Sequence, residues 1–192
     1  MDAAGSRSPG RFRTWRQWLA ILSAFLWLCT LAAQSTAGDS AGSATLIAAD
    51  DTSRPLFVLP SLDGPKQELA RLRGRVVLVH FFATWCEPCR AEIERLSQMH
   101  SRFEHQPFAI VSISVAEADG AVRRFFAGDT LPFAILLDRD RSIARSWNID
   151  ALPSTVVLDR SLKPRFIAQG DVDWMRPDVM NTVADLLMET PG

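Results

Sequence analysis

Seven consecutive residues, Val76 to Phe82 (VVLVHFF), are apolar or aromatic except for a single histidine. So short a run, rich in β-branched and aromatic side chains and without polar alternation, is the pattern of a strand covered on both faces. The period then changes at once. Cys89, Ile93, Leu96, His100 and Phe103 fall three or four residues apart and make one helical stripe. The chain must therefore pass from a central strand into a helix through Thr84-Trp85-Cys86-Glu87-Pro88-Cys89. That requirement restricts the fold to α/β architectures in which a strand end and a helix start share a tight turn.

The rest of the pattern extends this unit. Leu56 to Leu59 reads as a short strand, followed by the turn Asp63-Gly64-Pro65 and a brief helical pattern at Leu69 and Leu72 that Gly74 closes. Ala109 to Val115 is a second buried strand, Asp119 to Ala127 a short helix, and Phe133 to Leu137 a third strand. Ser142 to Trp147 gives another short helix, Ser154 to Leu158 and Arg165 to Gln169 two further strands. Pro177 can open a helix without wasting a hydrogen bond, and Val179, Val183 and Leu186 supply its buried stripe. Strands alternating with helices predict a sheet covered on both faces.

The N-terminal part carries a different signal. Gln17 to Gly38 contains no charged residue, and Leu19 to Ala33 is apolar enough to partition into a bilayer. Arg7, Arg11, Arg13 and Arg16 precede it, and the small residues Ser35, Thr36 and Ala37 follow. Residues 1–37 are therefore expected to be a signal peptide or an uncleaved membrane anchor. Arginines before the apolar run and aspartates after it send the remainder outward. The location expected is the cell inner (cytoplasmic) membrane facing the periplasm, or the soluble periplasm after cleavage. Residues 38–54, small, polar and acidic around Leu46-Ile47, read as a linker. Residues 55–192 are long enough for one domain. With a net charge of -1 and the basic residues of the first segment set apart, nothing points to nucleic acid as a partner.

Of three cysteines, Cys29 lies within the apolar run and reads as an inert thiol, which leaves Cys86 and Cys89 in the exported part. A bridge across two intervening residues closes too small a loop to stabilise a fold by much, so chemistry explains the pair better. Zinc needs four ligands, and no second Cys pair or Cys-His cluster accompanies this one, so neither metal nor cofactor is expected. At a helix start, unpaired N–H groups and the helix dipole favour a thiolate at Cys86, the expected nucleophile. Cys89, a turn deeper, is the expected resolving thiol, and Pro88 suits the first turn.

The segment Phe82-Ala83-Thr84-Trp85-Cys86-Glu87-Pro88-Cys89-Arg90-Ala91-Glu92 resembles the active-site segment of the TlpA/ResA/DsbE group of thioredoxin-like proteins. The likeness continues through Ala151-Leu152-Pro153-Ser154-Thr155 and Gly170-Asp171-Val172-Asp173-Trp174. It implies a thioredoxin fold, a mixed central sheet with helices on both faces, carrying a strand-helix insertion that would fall at residues 109–127. It also implies reduction of disulfides outside the cytoplasm, with a membrane thiol-disulfide electron carrier as reductant. Exported cysteine-containing proteins are the implied substrates, apocytochrome c being the frequent client. By the same resemblance Pro153 would be a cis-proline beside the disulfide, with the Leu152 backbone hydrogen-bonding the substrate, while Trp85 itself reads as a flat cover over the disulfide at the substrate-binding surface. Glu92 would handle protons.

Three residues depart from the group's pattern. His80 stands where thioredoxin has a buried acid and this group often asparagine, and it is either a proton acceptor for Cys89 or a satisfied core residue. Phe82 replaces the usual tryptophan, and Glu94 a helix-bending proline. Trp174 reads as packing, and His100 and His105 as helix and loop residues. Two other functions use related scaffolds: a copper-delivery or binding module, whose cysteines are usually three residues apart, and a disulfide-forming oxidant. Glu87 beside Cys86 disfavours the thiolate and pulls the couple toward reducing, though an exposed carboxylate is well screened.

Overall fold

The computed structural model describes residues 43–50 and 52–190. The segment expected to be a signal peptide or anchor, and Cys29 with it, lies outside the described residues. Among the described residues no helix is long and apolar enough to cross a membrane.

The central strand β4 (Val76–Phe82) is buried at every position, as an uninterrupted apolar run requires. It is flanked in sequence by β1 (Ile47–Ala48), β2 (Val58–Leu59), β3 (Gln67–Glu68) and a 3-10 turn at Leu69–Leu72 on one side. On the other follow α1 (Glu87–Arg102), β5 (Phe108–Val115), α2 (Asp119–Phe125), β6 (Ala134–Asp138), α3 (Ser142–Ser146), β7 (Ser154–Leu158), β8 (Pro164–Gln169) and α4 (Pro177–Met188). The main sheet has the order β1-β8-β7-β4-β5-β6. β4, β5 and β6 run parallel, whereas β7, β8 and β1 join by antiparallel pairing. β2 and β3 form a separate two-stranded ribbon.

Alternation along β4 sends its side chains to two cores. Val77, Val79 and Phe81 pack with Phe57, Leu69, Trp147 and Ile149. Val76 and Leu78 face the other way, against Leu96 and Met99 of α1 and Val179, Val183 and Leu186 of α4. Each such side chain, taken fully out of water, contributes roughly 1.5–3 kcal/mol before chain entropy is counted. α3 is anchored differently, by Asp138, whose buried carboxylate accepts the N–H groups of Ile143 (3.2 Å) and Ala144 (2.8 Å).

Two expectations about boundaries are corrected. The stretch 38–54 is not wholly linker: Ile47 and Ala48 pair with Ile167 and Phe166 on β8, and Ala44 N–H donates to the Asp171 carbonyl at 2.7 Å. A short apolar pair beside an open sheet edge is enough to dock it, and polar composition concealed that edge partner. The inserted strand-helix pair is likewise not at 109–127. β5 is the direct parallel partner of β4 over seven residue pairs, from Val76 with Phe108 to Phe82 with Ser114, so the addition consists of α2 and the edge strand β6.

Candidate redox site

At the end of β4 the Cys86 N–H donates to the Ala83 carbonyl (3.1 Å), closing a turn over Thr84 and Trp85. Cys86 itself keeps extended backbone angles and caps α1, and its carbonyl receives the Cys89 N–H (3.1 Å). Pro88 sits in the first turn, where a missing N–H costs no intrahelical bond. The two sulfurs are bonded at 2.04 Å, with the Cα atoms 5.4 Å apart. Cys86 is 6% exposed and Cys89 fully buried, whereas Trp85 between the strand and the bridge is 74% exposed. Any attack from outside must therefore meet Cys86 first, next to free N–H groups of the helix start that stabilise an anion.

The disulfide rests in an apolar cup. Phe82, Ile93, Val122, Phe126, Ile135 and Leu137 pack around the two cysteines, with Leu152 against the same cluster. α2, its C-cap Phe126 and β6 supply four of those residues, so the inserted pair builds a wall of the site. Arg90 on α1 lies over the Phe125 ring, 4.0 Å from its centroid. The Leu152–Pro153 peptide is cis. Because Phe81 pairs with Ser154 and His80 with Thr155, the register brings Pro153 alongside Phe82, at the end of β4 from which the cysteine turn leaves.

One turn further along α1 from Cys89, a buried polar pair joins that helix to β4. Glu92, three residues beyond Cys89 on the buried stripe of α1, receives the Trp174 Nε1–H on Oε1 at 2.6 Å. His80 comes from the facing side of β4, its Nδ1 3.0 Å from Thr155 Oγ1 and 3.9 Å from Glu92 Oε1. The second distance is that of an ion pair, but the groups do not charge one another. Burial raises the Glu92 pKa to about 8, opposed by the Trp174 bond, while Asp171 adds to the rise and Arg95 and the Val172 backbone reduce it. Burial alone lowers that of His80 to about 3. Desolvation outweighs mutual attraction here, and both groups are neutral near pH 7. Glu92 Oε2 and His80 Nε2 have no hydrogen-bond partner among the described residues.

The structure thus brings Cys86, Cys89, Trp85, Leu152 and Pro153 to one end of the sheet and pairs Glu92 of α1 with His80 of β4 in the buried layer between them. His100 packs between the Phe108 and Phe133 rings (6.4 and 6.3 Å), and His105 is exposed, so neither joins the site. Trp174 does more than pack, since it donates to Glu92. Sequence reasoning missed Glu117 altogether. Its carboxylate accepts from the Thr84 N–H (2.9 Å), Thr84 Oγ1 (2.5 Å) and Ser114 Oγ (2.7 Å). The one sequence signal would have been an acid just past the carboxyl end of β5, where the strand beside it also runs out.

Comparison with known proteins agrees with this geometry. Residues 51–166 match the model of the AhpC/TSA family. Thiol-disulfide oxidoreductase ResA of Bacillus subtilis (strain 168) is 32% identical over 100 residues, which are 52% of this chain and 56% of that protein. The match thus spans little more than half the relative's length. ResA of Geobacillus kaustophilus (strain HTA426) is 30% identical over 126 residues, 66% of this chain and 72% of the relative. A crystal structure of a secreted Mycobacterium tuberculosis disulfide oxidoreductase homologous to Escherichia coli DsbE superimposes with a TM-score of 0.59 at 25% identity, covering 67% of this chain and 95% of the other. With a thioredoxin-like sheet, a cysteine bridge at the head of α1 and a family match over most of the described domain, the chain belongs to the AhpC/TSA family and is ResA-like within it.

Proposed function

We propose that the chain is a thiol-disulfide oxidoreductase that reduces disulfides of exported proteins outside the cytoplasm. The observation that carries this is the bridge at the N-terminus of α1, with Cys86 the more exposed of the two cysteines at 6% and Cys89 fully buried. In the reduced form the Cys86 thiolate attacks a substrate disulfide. A Cys86–substrate bond forms, and the displaced substrate sulfur leaves as a thiolate and is protonated. Cys89 then loses its proton and attacks the Cys86 sulfur, so that the internal bridge forms and the second substrate sulfur departs. Two electrons have passed to the substrate, and the proton given up by Cys89 together with one from solvent completes its two thiols.

Glu92, protonated near neutral pH and one turn from Cys89, would first release its own proton and then, as the carboxylate, take the proton of Cys89. Trp85, Leu152 and Pro153 form the rim that a bound cysteine segment meets. Glu87 is exposed next to Cys86 and favours the reducing direction. The apolar N-terminal segment would export or tether the chain to the inner membrane facing the periplasm, where a membrane dithiol carrier returns it to the reduced form. Apocytochrome c, with its cysteine pair, is a substrate of suitable chemistry.

Thiol trapping with Cys89→Ser tests this reading. The variant should accumulate a mixed disulfide through Cys86, and Cys86→Ser should accumulate none. A reduced wild-type chain unable to reduce a protein disulfide would refute the proposal.

A further inference from the structure

The β5–α2 connection sends one carboxylate into the turn that presents Cys86. Ala116 turns the chain with φ 59°, a left-handed conformation that a residue with a Cβ adopts only under constraint. Its N–H is held by the Asp138 carbonyl of β6 at 2.9 Å. The turn folds Glu117 back over the ends of β4 and β5, which are neighbours in the sheet with Phe82 beside Ser114. There Glu117 Oε2 takes the Thr84 N–H and the Ser114 hydroxyl, and Oε1 takes the Thr84 hydroxyl.

Both donors of Thr84 are thereby committed to one side chain. Thr84 is the first of the two residues spanned by the bond from Cys86 N–H to the Ala83 carbonyl, the turn that delivers Cys86 to the helix cap. None of the clamp's hydrogen bonds involves a sulfur atom, so opening the disulfide breaks none of them. Three hydrogen bonds on a half-buried carboxylate, from a loop held in a strained conformation, are more than exposed-surface placement of a glutamate would need.

We infer that Glu117 is a positioning residue for the redox centre, fixing the Thr84–Cys86 turn so that the Cys86 sulfur stays against the first turn of α1 in the reduced state. The inference rests on the oxidoreductase reading and deepens it, by giving the inserted α2–β6 segment a part in the chemistry. Released from the clamp, the turn lets the sulfur sample positions away from the helix N–H groups, and the thiolate loses stabilisation.

The test is the pH profile of Cys86 alkylation in the reduced full chain, measured for Glu117→Gln, Thr84→Val and the double variant. Glu87 and Arg90, the charged neighbours on the first turns of α1, are unchanged in all three. The midpoint should rise in both single variants, by about one pH unit for Glu117→Gln, which is about tenfold in rate at a fixed pH below the midpoint. The double variant should be no worse than Glu117→Gln alone, and Thr84→Ser, which restores the hydroxyl, should titrate as wild type. If Glu117 acted through its charge alone, Glu117→Gln would lower the midpoint and Thr84→Val leave it in place, and the inference would fall. It would fall equally if folded variants, verified by their circular dichroism, titrated as wild type. A wild-type chain that failed to reduce disulfides would instead sink the function proposed above, and the alkylation profiles would still decide the clamp.

Discussion

Replacing Glu92 by glutamine should make the protein's stability less sensitive to alkaline pH, and the size of the change follows from the burial of that carboxyl. The Glu92 pKa rises from 4.5 to about 8 in the folded chain. Below about pH 4.5 folded and unfolded chains both hold the proton, and the group contributes nothing to the pH dependence. Between 4.5 and 8 the unfolded chain releases the proton while the native chain keeps it, so stability falls as pH rises. Above 8 the deficit is complete. At about 1.4 kcal/mol per unit, its ceiling is roughly 5 kcal/mol.

Glutamine keeps an oxygen for the Trp174 Nε1–H and has no proton to lose. Urea unfolding of the oxidised wild type and of Glu92→Gln should be compared at half-unit steps from pH 4 to 9. The difference between the two stabilities cancels every titration they share. It should be flat below 4.5, climb in favour of the variant through neutrality, and level off above 8. A difference constant across that range would show that Glu92 ionises as freely folded as unfolded, and the account of the buried pair would be wrong.

His80 should act on the opposite limb. Its folded pKa of about 3 lies below the ordinary 6.5, so stability is lost as pH falls from 6.5 toward 3, and His80→Asn should flatten that acid limb in the same unfolding experiment. Between 4.5 and 6.5 the two residues have opposing slopes, and the wild-type curve should be level there. Trp174→Phe removes the donor to a fully buried Oε1, which should cost about 1–3 kcal/mol and move the Glu92 titration further upward, since that bond opposes the rise. Infrared absorption of the protonated carboxyl as a function of pH would read the second effect directly. Asp138→Ala should lower stability by about 2 kcal/mol through loss of the α3 anchor while leaving the rate of Cys86 alkylation unchanged.

The parts of the fold legible in sequence are those in which local pattern and final burial coincide. β4 and β7 emerge with the bounds that the apolar runs suggest, because a central strand gains nothing from polar alternation. The cysteine turn is legible for a related reason: a thiolate site needs Cys, Pro and a helix start within a few residues, and that chemistry is written locally. What escaped is made by contacts distant in sequence. Glu117 meets Thr84 across 33 residues and Trp174 meets Glu92 across 82, and no local pattern marks either contact. Resemblance singles out Glu92, and its protonated state depends on tertiary burial that helical spacing expresses only in part. β1 escaped because two residues of edge pairing are shorter than any pattern can distinguish from a linker.

That edge pairing also bears on what the sheet presents to neighbouring molecules. Without Ile47 and Ala48, the outer side of β8 would offer open amide and carbonyl groups along Phe166 and Ile167, a template for any extended chain nearby. The few residues leading into the folded part thus act as a cover strip for the sheet. A truncation beginning at Pro55, the obvious place to cut by composition, would strip that cover and leave a protein with intact redox chemistry and a new tendency to self-associate.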